Sequence, residues 1–206
     1  CIVFFDLVGI GIILPILPLV FLDSNVFPEG TALAAKTFLL GLLIAAYPLA
    51  QFFGAPLLGT LSDKYGRKNI LISSLIGTII GYCLFALGLT ISNIFLLFLG
   101  RLIDGFTGGN ISVARSAIAD ISDEKDKAKN FGLMGMAFGL GFILGPYLGG
   151  KLTDSTILPW FNATTPFWTA AILVTLNLLF VILAFNETLK QRTHPEITLF
   201  TGVEHV

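Results

Sequence analysis

Apolar runs of roughly twenty residues recur along this chain, at 1–22, 37–59, 70–90, 94–118, 131–152 and 166–186. Each is long enough to cross the ~30 Å hydrocarbon core of a bilayer as a helix. Lipid offers no partner to a backbone N–H or C=O, so a continuous apolar run of this length can span only as a helix. The pattern predicts an all-α membrane protein, a six-helix transmembrane bundle over residues 1–186, with 187–206 as the start of a linker beyond it. Charged residues are 12% of the chain, half the ~25% usual in soluble domains, while 55% are hydrophobic. The chain opens inside an apolar run without a methionine, so its true N-terminus is expected to lie upstream.

Several classes of function fall away at this level. A net charge of -1 leaves no broad basic face for nucleic acid. Cys1 and Cys83 lie in apolar context, and neither His194 nor His205 has a companion ligand nearby, so no disulfide framework or metal site is expected. No nucleophile, base and oxyanion set and no phosphate-binding loop can be found, which argues against an enzyme and against a bound cofactor.

Charge between the runs sets an orientation. Lys64, Arg67 and Lys68 follow the second run, Lys125, Lys127 and Lys129 follow the fourth, and Lys190 and Arg192 follow the sixth. The opposite side has only Lys36 and Lys151, so the positive-inside rule places both ends of this segment in the cytoplasm. The second run closes on PLLGTLSD (56–63) and the fifth on PYLGGKLTD (146–154), nearly the same residues at opposite sides. Two three-helix units inserted in opposite orientation, 1–90 and 94–186, would produce that, and inverted repeats place transporter sites where the units meet.

A few polar residues inside the greasy runs carry the candidate chemistry. Asp63 and Arg67 are four apart and face one another on a helical turn, with Gly59 one turn earlier allowing close helix approach. Arg101, Asp104, Gly105, Gly108, Ser112 and Arg115 share one stripe about a third of the helix circumference wide. A charge near mid-membrane costs ~2.5 to 3.5 kcal/mol on insertion scales, so each is normally paired and functional. Arg101 and Asp104 either neutralise each other or serve a proton or a cationic ligand. Asp6 stands among Phe4, Phe5, Leu7 and Val8 without a basic residue within a turn, as a proton-relay carboxylate would; the alternative is an acid near a helix end reaching water. Tyr47 and Gln51 share a face, fit either for a large, partly apolar ligand or for helix packing, and Asn110 and Asn177 are candidates of the same kind. Gly141, Gly145 and Gly149 form an i, i+4 ladder for close packing, and Pro146 is expected to kink the helix there.

These residues carry a family likeness. GTLSDKYGRKNIL (59–71) resembles the cytoplasmic signature of the major facilitator superfamily, with Gly59, Asp63, Gly66, Arg67 and Lys68 at its main positions. GRLIDGFTGG (100–109) looks like that superfamily's fourth-helix motif, and GFILGPYLGG (141–150) like the fifth-helix motif of its antiporters. DLVGIGIILPILP (6–18) is similar to the first helix of drug:proton antiporters with twelve spans. YPLAQFFGAPLLGTLSD (47–63) and IADISDE (118–124) look most like bacterial tetracycline and multidrug efflux pumps.

The resemblance covers only the N-terminal half of such a transporter. It implies a partner C-terminal bundle, a bacterial inner-membrane location, a drug-like, tetracycline-type or cationic substrate, and a proton gradient as the energy source. It further implies that Asp63, Arg67 and Asp120 latch one conformation, that Tyr47 and Gln51 line the drug pocket, and that Arg101 takes part in proton coupling. Gly141, Gly145, Pro146, Gly149 and Gly150 would mark an exchanger. Family members usually carry a neutral or amide residue where this chain has Asp104, a departure that points to a cationic substrate or a second protonatable site. A nutrient symporter or uniporter of the same superfamily, or a non-transporting membrane protein on that scaffold, remains as an alternative.

Overall fold

The computed structural model describes residues 2–22 and 26–189. Among them every regular element is helical: α1 (Ile2–Ile13), α2 (Leu17–Leu22), α3 (Leu33–Tyr65), α4 (Arg67–Thr90), α5 (Ile94–Thr107), α6 (Asn110–Asp120), α7 (Glu124–Thr153) and α8 (Thr165–Ala184). Cys1 and most of the linker lie outside the described residues. Four single helices, together with the run from Ile94 to Asp120, are long and apolar enough to cross a membrane, and Val3–Leu19 is a shorter apolar stretch.

Two of the apolar runs are broken helices. Pro15 has no N–H to give to the preceding turn, so α1 stops at Ile13, and Pro18 is tolerated near the start of α2. The fourth run breaks at Gly108 and Gly109, between α5 and α6. α3 and α7 instead run past their apolar stretches, at 33 and 30 residues, or roughly 50 and 45 Å. Hydropathy marks the slab of lipid, whereas the helix ends only where a cap or turn stops it. Gly66 is such a stop: φ is 100° and ψ 147°, a conformation nearly confined to glycine, and it lets α4 begin one residue after α3 ends. Asn93 opens α5 by accepting from the N–H groups of Phe95 and Leu96.

α1 lies between α7 and α8, α4 between α5 and α8, and α3 along α5 and α6. Exchanging α1, α3 and α4 for the α5–α6 run, α7 and α8 maps the α3 contact with α5–α6 onto the α7 contact with α1, and the α4–α5 contact onto α8–α1. Two three-helix units inserted oppositely generate such a pattern. The interior is filled by residues such as Leu7, Ile12, Leu43 and Leu97, with Phe85 stacked on Phe167 at 4.5 Å. The outer faces of α3 and α7 expose Phe38, Phe52, Phe53, Phe142, Ile143 and Tyr147, as lipid or another apolar partner requires.

Candidate functional site

At the end of the bundle that carries the α3–α4 turn, Arg67 is buried to 6% exposure and gathers three acceptors. Its Nη1 lies 2.6 Å from Asp63 Oδ1 and donates to Ser62 Oγ at 2.5 Å, and its Nε donates to Asp120 Oδ2 at 3.0 Å. The guanidinium fork therefore ties α3 to the last residue of α6. Glu187, which the sequence reading did not single out, completes this cluster. Its carboxylate accepts from the backbone N–H of Arg67 at 2.9 Å and of Lys68 at 3.2 Å, capping the open N-terminus of α4. Burial pushes this carboxyl up, but the N–H groups of Leu189, Arg67, Lys68 and Thr188 outweigh it and hold it below the usual range. Lys68 Nζ donates to Ile182 O at 2.9 Å, covering a carbonyl of the last turn of α8. A Cβ at Gly66 would collide with Glu187 Oε2. A Cβ at Gly59 would meet only Ser112 Oγ at 3.7 Å, an ordinary contact. The close helix approach expected at Gly59 occurs instead at Gly54 and Gly109, where an added Cβ would strike the backbone of Phe106 and of Ala55.

Inside the bundle a second cluster joins five segments. Asp6 on α1 is 7% exposed. Its Oδ2 accepts from Asn110 Nδ2 on α6 at 2.9 Å, and its Oδ1 from Asn177 Nδ2 on α8 at 3.1 Å. Both amides, expected at a ligand pocket, are thus committed to the carboxylate. Asp104 and Arg101 on α5 are buried, and their closest approach is 3.5 Å, at the outer limit of a hydrogen bond. Arg101 also lies over the Tyr47 ring of α3, 4.8 Å from its centroid. Arg101 Nε and Tyr47 Oη have no hydrogen-bond partner among the described residues.

The break between α5 and α6 explains where Gln51 goes. Ending α5 frees carbonyls inside the bundle, and Gln51 Nε2 donates to Gly108 O at 2.9 Å. Ser112 Oγ reaches back to Ala55 O at 2.9 Å. The single stripe expected along the fourth run is split at this break, so Arg115 ends up exposed while Arg101 and Asp104 stay buried.

The α7 glycines make backbone contact with α1. A Cβ on Gly141 would meet Leu7 Cβ at 2.8 Å, one on Gly145 would collide with Gly11, and one on Gly149 with Ile12 O. Pro146 and Gly150 are on the exposed side of α7, away from that contact, and α7 runs on as one helix through Pro146. A separate cavity of ≈ 330 Å³ opens where α1, α4, α6, α7 and α8 meet, walled by apolar side chains such as Phe4, Leu71, Ile118 and Met134. It does not include Tyr47 or Gln51.

Lipid-length helices, a bundle of paired units and buried, sparsely paired charges at the helix crossings define a multi-pass membrane protein of the transporter class. The chain belongs to the Major Facilitator Superfamily, whose sequence model matches residues 1–202. It is 41% identical over 186 residues to the tetracycline resistance protein, class H, of Pasteurella multocida, covering 90% of this chain and 43% of that protein. Against the class C tetracycline resistance protein of Escherichia coli it is 38% identical, with 92% and 44% covered. Against the quinolone resistance protein NorA of Staphylococcus aureus it is 34% identical, with 93% and 45% covered. The chain therefore spans less than half the length of these relatives. The crystal structure of the human organic anion transporter MFSD10 (TETRAN) is similar with a TM-score of 0.75 at 26% identity, covering 93% of this chain and 47% of that one.

Proposed function

We propose that this chain forms the N-terminal half of a proton-coupled exporter of drugs or other small amphipathic molecules, working by alternating access with no bound cofactor. The observation that carries the reading is Asp6: a buried carboxylate with no ion-pair partner among the described residues, held by amides from two other helices. A group held in that way can take up or give off a proton without breaking a salt bridge. Arg101 and Asp104 adjust its charge state from α5. Asp63, Arg67, Lys68, Asp120 and Glu187, around the turn at Gly66, latch the bundle at its cytoplasmic end, with both chain ends on that side of a bacterial inner membrane. The glycine face of α7 seals α1. Tyr47 and Gln51 contribute one wall of a substrate pocket that a C-terminal bundle completes, and 1–90 and 94–186 are the inverted repeats. The names of the relatives, tetracycline and quinolone resistance proteins, support a drug-like substrate.

The test uses everted membrane vesicles carrying the complete transporter. Tetracycline or a cationic dye is expected to trigger proton release in the parent and none in Asp6→Asn. Uptake without proton movement, or parental behaviour of Asp6→Asn, would overturn the assignment.

A further inference from the structure

Between α1, α3, α4, α5 and α6 lies a small space of ≈ 10 Å³, lined among others by Asp6, Tyr47, Thr78, Tyr82, Asp104 and Asn110. That is about the room one water needs. A water also needs two to four polar partners, and the lining supplies them. Tyr47 is 8% exposed and its hydroxyl has no hydrogen-bond partner among the described residues. Asp104 is 2% exposed, and among the described residues its carboxylate makes one hydrogen-bond contact, the 3.5 Å approach to Arg101. A buried carboxylate so poorly bonded requires a further partner. Each Asp6 oxygen accepts one amide and keeps a second lone pair.

We propose that Asp6 and Asp104 form one two-carboxylate proton site, bridged by a single water that the Tyr47 hydroxyl holds in the space between them. The proposal rests on the antiport reading above and extends it. A proton on the Asp104 carboxyl passes to the water oxygen as a proton of that water passes to the Asp6 carboxylate. One proton moves, one water remains, and the charge changes places. The groups facing the pair are Arg101 from α5, Tyr47 from α3, Tyr82 from α4, and the amides of Asn110 and Asn177 from α6 and α8. Arg101 touches both sides of the site at once, approaching Asp104 at 3.5 Å while lying over the Tyr47 ring. Asp104 is thus a member of the proton site.

Infrared titration of the purified full-length transporter tests this through the acid carbonyl band, read as differences between the parent and Asp6→Asn, Asp104→Asn and Tyr47→Phe. Coupled carboxyls titrate as a pair, over a range wider by about 1 pH unit or more than one group allows. In Asp104→Asn the Asp6 signal is expected to collapse to a single-group curve with a displaced midpoint, and in Tyr47→Phe, which keeps the ring over Arg101, the pair's excess breadth is expected to shrink. An Asp6 curve unchanged in width and midpoint by Asp104→Asn overturns the shared site, and full breadth in Tyr47→Phe overturns the bridge. Substrate-driven proton release is measured separately on the same preparations. Coupled carboxyls without such release would sink the antiport reading and leave the pair standing.

Discussion

Adding one methyl group to Gly145 tests how α1 and α7 are held together. The Cβ would collide with Gly11 of α1 and come within 2.8 Å of Ile12 N, where ordinary contact begins at 3.4 Å. Everything it meets is backbone, so no side chain can swing aside and the helices must part by roughly 0.6 Å or more at that crossing. A gap of 0.5 to 1 Å forfeits about a quarter to a half of the dispersion well for each atom pair that separates. Overpacking of this kind costs typically about 1–3 kcal/mol, against about 0.5–1 kcal/mol that alanine gains over glycine in a helix. Gly145→Ala in the full-length transporter is therefore expected to lower stability by about 1–2 kcal/mol. Gly150→Ala on the same helix, with nothing within 4 Å of its Cβ in this chain, should be neutral or slightly stabilising. The measurement is thermal unfolding in detergent, combined with the yield of cysteine cross-links between α1 and α7. Equal stabilities for the two alanine variants, or an undiminished cross-link in Gly145→Ala, would refute the backbone contact.

Arg67→Lys keeps the charge but loses the fork that reaches Asp63, Ser62 and Asp120 together, so the end of α6 should exchange amide hydrogens several-fold faster than in the parent. Glu187 is held below its ordinary range, so its contribution is complete above the unfolded glutamate value and is lost as pH falls through the folded one. Protection of the Arg67 and Lys68 amides should decline over that acid window in the parent, and Glu187→Gln should lower it at neutral pH. Gly66→Ala forces a side chain into a glycine-only conformation and against Glu187, at a cost of about 1–3 kcal/mol by chemical denaturation. Gln51→Leu leaves Gly108 O with only the long 3.5 Å bond from the Ile111 N–H, and a loss of about 1 kcal/mol in the same assay is expected.

Features carried by local spacing could be read from the residues. The α7 glycines repeat every fourth residue on one helix, so the ladder follows from helix geometry alone. Asp63 and Arg67 have the same spacing and do pair, but across the Gly66 turn from α3 to α4 and not along one helical turn as expected. Contacts between distant segments could not be read in this way. Asn110 and Asn177 reach Asp6 across 104 and 171 residues, and Glu187 reaches Arg67 across 120. Their amide and carboxylate types suit many partners, so only the packing of α1, α4, α6 and α8 decides which ones they meet. Helical periodicity puts Arg101, Asp104, Gly108 and Arg115 on one stripe, yet the helix ends at Gly108 and Gly109 and Arg115 is exposed.

The tight right-handed turn at Gly108 and Gly109 leaves α6 with an attachment at each end. Its first residue, Asn110, donates to Asp6, and its last, Asp120, accepts from Arg67, with only 11 residues or roughly 16 Å between them. A proton arriving on the second lone pair of the Asp6 oxygen that faces Asn110 turns that oxygen into a hydroxyl, a weaker acceptor for the Asn110 N–H. Any change in that bond is felt at the first residue of α6, which the hydrogen-bonded turn at Gly108 and Gly109 joins to α5. The other end of α6 is held to Arg67 by a charge-assisted bond. Asp6 and the Arg67 cluster are far apart in the chain and in the bundle, and α6 is the element that both of them grip.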